Sequence, residues 1–233
     1  MTSVLNRLIE LESEIHYRTP APAGEAEFDF SAGRVPVLLS APHGAAHTRN
    51  GRLKEEDEFT AGMARLVAEL TGAHALFARY MSHTDPNYYP GVAYKRDLQT
   101  WAQKAPFGFV IDLHGAGERH KFGVALGTML GGQSCPGYYT TVVDTLQAYG
   151  YREQAHGLDR LDIDNIFTGG GGLRQETVTR FCWQKLNIPA IQLEFHPSLR
   201  VLPLPNRAAH ALVDPERVRR TVDLLCNLVQ RLS

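Results

Sequence analysis

The sequence predicts an α/β protein, a three-layer α/β/α sandwich around a mixed, mostly parallel sheet, and two observations carry that expectation. Short apolar, β-prone runs recur at residues 35–40, 74–80, 107–113, 122–128 and 190–195, and segments of helical periodicity lie between them. Strands that alternate with helices are joined by crossovers, which leaves them parallel and covers both faces of the sheet. In such sheets ligands gather beyond the carboxyl ends of the strands.

Taken in order, the elements begin at about residues 2–17, where charged residues mix with leucines at helical spacing, the pattern of an amphipathic helix. A Pro/Ala/Gly-rich connection at residues 19–24 leads to the run at 35–40. The acidic stretch Lys54-Glu55-Glu56-Asp57-Glu58 then opens a helix with Phe59, Met63, Leu66, Val67 and Leu70 on one face. Further helices are expected at residues 138–149 and 174–185. The last helix is announced by Asp214-Pro215, an N-cap followed by proline at the first helical position, with Val218, Val222, Leu225, Val229 and Leu232 as its apolar seam. No repeat or linker divides the 233 residues, so residues 1–233 are expected to form one domain.

Composition narrows the class of partner. With 24 Lys and Arg against 25 Asp and Glu, the formal net charge is −1, which gives no global attraction to nucleic acid or to acidic membranes. The expected partner is a small molecule or a short chain. The start lacks the continuous apolar core of a secretory leader, and no apolar run approaches the ~20 residues of a membrane-spanning helix. Cys135, Cys182 and Cys226 are scattered, without a Cys-x-x-Cys pair, so neither a disulfide framework nor a thiolate zinc site is expected. These features together suit a soluble protein of the reducing cytoplasm.

The chemistry-bearing residues cluster where strands end. The run at 35–40 exits through Ala41-Pro42-His43-Gly44, the run at 107–113 through Asp112-Leu113-His114-Gly115, and the run at 190–195 carries Glu194 and leads to His196. As parallel neighbours, these strands would bring His43, His114 and Glu194 to one edge of the sheet. Asp112 and His114 point to the same strand face because side chains alternate with period two, so the aspartate can orient the imidazole. Two imidazoles rarely hold catalytic zinc without a third protein ligand. A carboxylate among Glu55, Glu56, Asp57 and Glu58 can supply it, although acidic residues also favour helix starts on electrostatic grounds alone. Glu194, in a strand that otherwise reads as buried, needs a partner, and a water polarised by a metal provides one for a general base.

The ordered set of Pro42-His43-Gly44, the helix start Asp57-Glu58-Phe59-Thr60, Asp112-Leu113-His114-Gly115, the glycine run before Leu173, and Gln192-Leu193-Glu194-Phe195 resembles the N-formylglutamate amidohydrolase family, over residues 35–200. That family is related to the zinc carboxypeptidases and to deacylases of N-acyl amino acids. The resemblance implies a zinc-carboxypeptidase-like fold and one zinc ion on His43, Asp57 and His114, with Glu56 next in line for the third place and Glu194 as base. It also implies hydrolysis of the amide bond of an N-acyl amino acid. Bacteriophage poly-γ-glutamate hydrolases resemble the same scaffold and imply a γ-amide polymer as the alternative substrate. Gly44 stands where family members carry serine. Substrates of this group bear carboxylates, which arginine binds in a bidentate fork, and Arg96 and Arg174 are the expected anchors.

Three other readings compete. Residues 169–172 are all glycine, but the run lacks the Gly-Lys-Ser/Thr ending of a phosphate-binding loop. A two-metal ureohydrolase is suggested by Leu161-Asp162-Ile163-Asp164 and by Asp112 with His114, yet no acidic residue follows His114 two places on. A binding module without catalysis would have no physical reason to keep a desolvated base beside two imidazoles. The turn-rich Asp85-Pro86-Asn87-Tyr88-Tyr89 reads as a surface turn or a loop over a pocket.

Overall fold

A computed structural model describes residues 3–105, 107–204 and 213–233. In chain order the elements are helix α1 (Ser3–Ser13) and strands β1 (His16–Pro20), β2 (Phe28–Ser31), β3 (Val37–Ala41), β4 (His47–Arg49) and β5 (Arg52–Lys54). Then come α2 (Thr60–Thr71), β6 (His74–Ala78), β7 (Tyr80–Met81), α3 (Ala93–Lys104), β8 (Phe109–Gly115) and β9 (Val124–Gly127). The chain closes with α4 (Tyr139–Ala148), β10 (Leu161–Ile163), the short α5 (Val178–Phe181), β11 (Ala190–Phe195) and α6 (Pro215–Leu232).

Seven strands form the central sheet in the order β10-β9-β11-β8-β3-β6-β2. The four at its heart, β11, β8, β3 and β6, are parallel, while β2 runs antiparallel to β6 and β9 antiparallel to β11. This is the mixed, mostly parallel sheet the sequence implied. β3, β8 and β11 are buried along nearly their whole length, which is why they read as continuous apolar runs. One face is covered by α2, with α1 and α6 packed on it and α4 beside α6. On the other, α5 packs on β8 and β11, and the hydroxyl of Tyr94 in α3 reaches Ser40 of β3.

The seam of α6 is as expected, with Val218, Val222, Leu225, Val229 and Leu232 all buried and the Asp214 carboxylate accepting from the Arg217 amide. Each such side chain contributes ~1.5–3 kcal/mol on burial. The differences lie in short or edge elements. The first helix stops at Ser13, and His16 turns into β1, which pairs in parallel with β7; Met1 and Thr2 lie outside the described residues. The segment expected to be helical at 174–185 becomes helical only at Val178, after Thr177 caps it, and its second half is a wider π turn, Cys182–Leu186. β2, β10, the β4–β5 hairpin and α3 lacked a periodic signal: β2 is an edge strand, β10 and the hairpin strands have three residues each, and α3 buries only Tyr94, Lys95 and Leu98.

Candidate metal centre

β3, β8 and β11 lie side by side in parallel, so their carboxyl ends open onto one edge. Ser40 is level with Asp112, and His114 is level with Glu194. The backbone leaves β3 at Ala41, and the carbonyl of His43 accepts the Asp57 amide at 2.8 Å, which ties the start of the α2 segment to the exit of β3. Asp57 is not the cap of α2. Phe59 holds that position in a left-handed conformation, φ 66°, and the Thr60 amide and hydroxyl both donate to the Asp57 carbonyl, at 3.1 and 2.7 Å. The Asp57 side chain is thereby free to face the imidazoles.

Three donor atoms converge there. Asp57 Oδ2 lies 3.5 Å from His43 Nδ1 and 3.2 Å from His114 Nδ1. Around a tetrahedral ion with ligands at ~2.0–2.1 Å, neighbouring donor atoms stand ~3.4 Å apart. Two imidazole nitrogens and one carboxylate oxygen form a donor set that suits zinc, with the fourth position open. The remaining nitrogen of each ring is held by a buried carboxylate: His43 Nε2 by Asp85 at 2.9 Å, and His114 Nε2 by Asp112 at 3.0 Å. Those carboxylates fix the orientation of both rings so that each Nδ1 faces Asp57, the outer support usual around metal-ligating histidines. Asp112 is itself fixed, accepting from the Ser40 hydroxyl at 2.8 Å.

These groups support one another's charge. Burial works against charge on Asp57, but His114 and His43 outweigh it and hold the carboxyl well below the usual range. Burial likewise opposes charge on both histidines, yet Asp112 raises His114, and Asp85 with Asp57 raises His43. Glu194 behaves differently: burial, reinforced by Asp57, pushes it up to about 7. Among the described residues it receives one hydrogen bond, from Gln192 Nε2 to Oε1 at 2.7 Å.

These residues line a cavity of about 520 Å³. Its opposite wall is the chain from Ile166 to Gln175, in which Gly169 and Gly171 have φ of 70° and 64° and Gly127 of β9 lies so close that a Cβ there would stand 2.4 Å from the Gly169 amide nitrogen. The glycines thus allow backbone to form the wall.

The other sequence-derived positions fall elsewhere. Glu56 turns away from the imidazoles and pairs with Arg18 Nε at 3.0 Å. Arg96 borders a separate pocket with Phe28 and Asp97, and its guanidinium donates to the Gly91 carbonyl. Arg174 is exposed and is not among the residues that line the cavity. Gly44 has a steric reason, since a Cβ there would stand 2.5 Å from Ala61 Cβ, leaving no room for serine.

Sequence reading did not find Asp85, His47 or Arg49. Asp85 is fully buried, and besides His43 it receives Arg49 Nε at its second oxygen. His47 stacks on His43 with ring centres 3.9 Å apart. Its Nε2 lies 3.3 Å from Asp85 Oδ2, outside hydrogen-bond alignment, and burial together with His43 pushes the ring's pKa down. His43, His47 and Asp85 form a second group close enough to hold a metal, but the guanidinium already on Asp85 would oppose a cation there. The signal for Asp85 was present in the turn-rich segment 85–89, although its partners are distant in sequence.

The fold is the α/β sandwich of the zinc carboxypeptidase type. Solved structures of that shape include an N-formylglutamate amidohydrolase from Ralstonia eutropha JMP134, which is 13% identical with a TM-score of 0.57 over 89% of this chain and 98% of that one. A metallo-carboxypeptidase from Pseudomonas aeruginosa is 13% identical with a TM-score of 0.51, over 99% of this chain and 68% of that one. The LapA aminopeptidase of Legionella pneumophila is 9% identical with a TM-score of 0.50, over 98% and 70% respectively. No protein-family model matches the chain, and no curated protein sequence does either. Among the described residues no helix is long and apolar enough to cross a membrane.

Proposed function

We propose that the chain is a zinc-dependent hydrolase of the amide bond in an N-acyl amino acid. The observation that carries the reading is the triangle of His43 Nδ1, Asp57 Oδ2 and His114 Nδ1 beside a buried carboxylate, Glu194, level with His114. Zinc, when bound to those three residues, would supply Lewis acidity for the carbonyl oxygen and lower the pKa of a water toward ~7. Glu194 takes the proton of the attacking water and returns it to the departing nitrogen, a role suited to a carboxylate raised to about 7. Gln192 restrains the base by its hydrogen bond to Oε1. Asp85 and Asp112 fix the two imidazoles, so the donor set is held without reorganisation. Free thiols at Cys135, Cys182 and Cys226 support a reducing compartment such as the cytoplasm.

The test is metal content per chain in protein purified without a metal-affinity column, together with hydrolysis of N-formyl and N-acetyl amino acids. One zinc per wild-type chain, lost in His43→Ala and kept in Glu194→Gln with turnover down by about 10³-fold or more, is the expected result. A wild type that takes up no zinc on reconstitution, or a Glu194→Gln variant with normal turnover, would overturn the reading.

A further inference from the structure

We infer that the cavity selects a substrate with one carboxylate, anchored by Arg49, and an apolar side chain against Ile166 and Phe167, in preference to an acidic side chain. This deepens the hydrolase reading and rests on it.

Arg49 is the sole lysine or arginine among the described residues that line the cavity. It projects from β4, directly after the segment of His43, and its side chain is 29% exposed. Its Nε is committed to Asp85, and its guanidinium lies over the Tyr88 ring, 5.0 Å from the centroid. The two terminal nitrogens have no partner among the described residues. A guanidinium fixed at Nε and open at its other edge is set up for bidentate contact with a carboxylate. Asp85 fastens this anchor to the metal-binding triangle, because its first oxygen holds His43 while its second holds Arg49.

Among the described residues the lining offers a second carboxylate no further lysine or arginine. The nearby cations lie outside the lining and turn groups toward the protein itself, Arg180 through Nη1 alone, its Nε being buried without a partner among the described residues. Lys95 donates to the Tyr89 carbonyl at 2.7 Å and pairs with Glu176 at 3.3 Å. Arg180 donates to the carbonyls of Gly172 and Gln175 at 3.2 and 2.7 Å, and Arg200 to those of Glu58 and Phe195. The acidic lining, Asp57 and Glu194, would repel a second anion. Beyond Glu194 the lining instead includes Ile166, 51% exposed, and Phe167, whose ring is backed by Phe122 at 6.1 Å. A carboxylate brought there loses hydration without a partner, whereas an aliphatic side chain gains from burial.

The experiment compares N-formyl-leucine, N-formylglutamate and N-formyl-leucinamide on zinc-reconstituted wild type, Arg49→Gln and Arg49→Lys. For wild type, kcat/KM for the leucine compound is expected to exceed that for the glutamate compound by about 10-fold or more, and that for the amide by about 10- to 100-fold. In Arg49→Gln the preference for carboxylate over amide should fall to within about threefold, and Arg49→Lys should restore part of it. Both ratios are taken within one sample, so they do not depend on how much of the variant is folded. Equal or better hydrolysis of the glutamate compound, or an unchanged carboxylate preference in Arg49→Gln, would overturn the inference. If no compound is hydrolysed, the hydrolase reading fails first; binding of the same compounds to the zinc-loaded protein by calorimetry still tests the pocket, and glutamate bound as tightly as leucine would overturn the inference.

Discussion

Two buried carboxylates, Asp85 at the sheet edge and Glu12 between α1 and α2, are equally removed from water yet sit in opposite electrostatic states. Asp85 lies against His43, His47 and Arg49, and although burial opposes its charge, His43 first and His47 after it hold its carboxyl far below the usual range. Glu12 receives the Phe59 and Gly62 amides at 2.6 and 2.7 Å and the Tyr17 hydroxyl. Those donors are neutral, so burial prevails and pushes it up to about 7. Burial does not decide the charge of an acid; the charge of its partners does. Each acid has its own contacts, since Asp85 holds the imidazole of His43 and the guanidinium of Arg49, while Glu12 caps the open amides of α2 two residues beyond Asp57.

The comparison can be broken most forcefully at Asp85. Asp85→Ala leaves His43 and Arg49 without their shared counter-charge, and a loss of ~3–5 kcal/mol in stability is expected from denaturant unfolding. A fall of about 10- to 100-fold in zinc affinity, measured by chelator competition, should accompany it. An unchanged zinc affinity would remove Asp85 from the support of His43.

Glu12 comes next. Its folded pKa of about 7 lies above the ordinary 4.5, so the fold prefers the protonated form. Its contribution is therefore full below pH 4.5 and is lost as pH rises through 7, an effect on the order of 3 kcal/mol. Glu12→Gln should flatten this dependence, read as the difference between the unfolding free energies of wild type and variant from pH 4.5 to 8. Parallel curves would mean that Glu12 is ionised throughout.

A smaller effect is expected at Gly62, where a Cβ would stand 2.6 Å from Glu12 Oε2. Gly62→Ala should cost ~1–3 kcal/mol by displacing the cap. The smallest concerns Ser40, whose hydroxyl donates to Asp112. Ser40→Ala should cost about 1 kcal/mol and shift zinc affinity less than Asp85→Ala does.

Some of the site was legible because the chemistry coincides with local pattern. His43, His114 and Glu194 follow or end apolar runs, and period-two alternation alone paired Asp112 with His114, which the structure places 3.0 Å apart. Asp85, Arg49 and His47 were not legible in the same way, since they sit in a turn and a hairpin without periodicity and meet only when β3 and the 85–89 segment come together. Arg96 and Arg174 show the converse: an arginine type was expected, but which arginine faces the cavity is set by loop paths, and Arg49 occupies it.

The sequence by itself determined the class of fold, the buried strands β3, β8 and β11, the seam of α6, and the strand ends at which imidazoles and a carboxylate gather. These depend on hydrophobic period and on residue type next to a strand terminus, both of which are local. The tertiary structure brings Asp57, the carboxylate the resemblance favoured, to the imidazoles and turns Glu56 to Arg18, and it alone decided that Asp85 joins His43 to Arg49 and that Glu12 caps α2 from another helix. Each is a contact between segments far apart in the chain, fixed by how layers pack and not by any spacing along it.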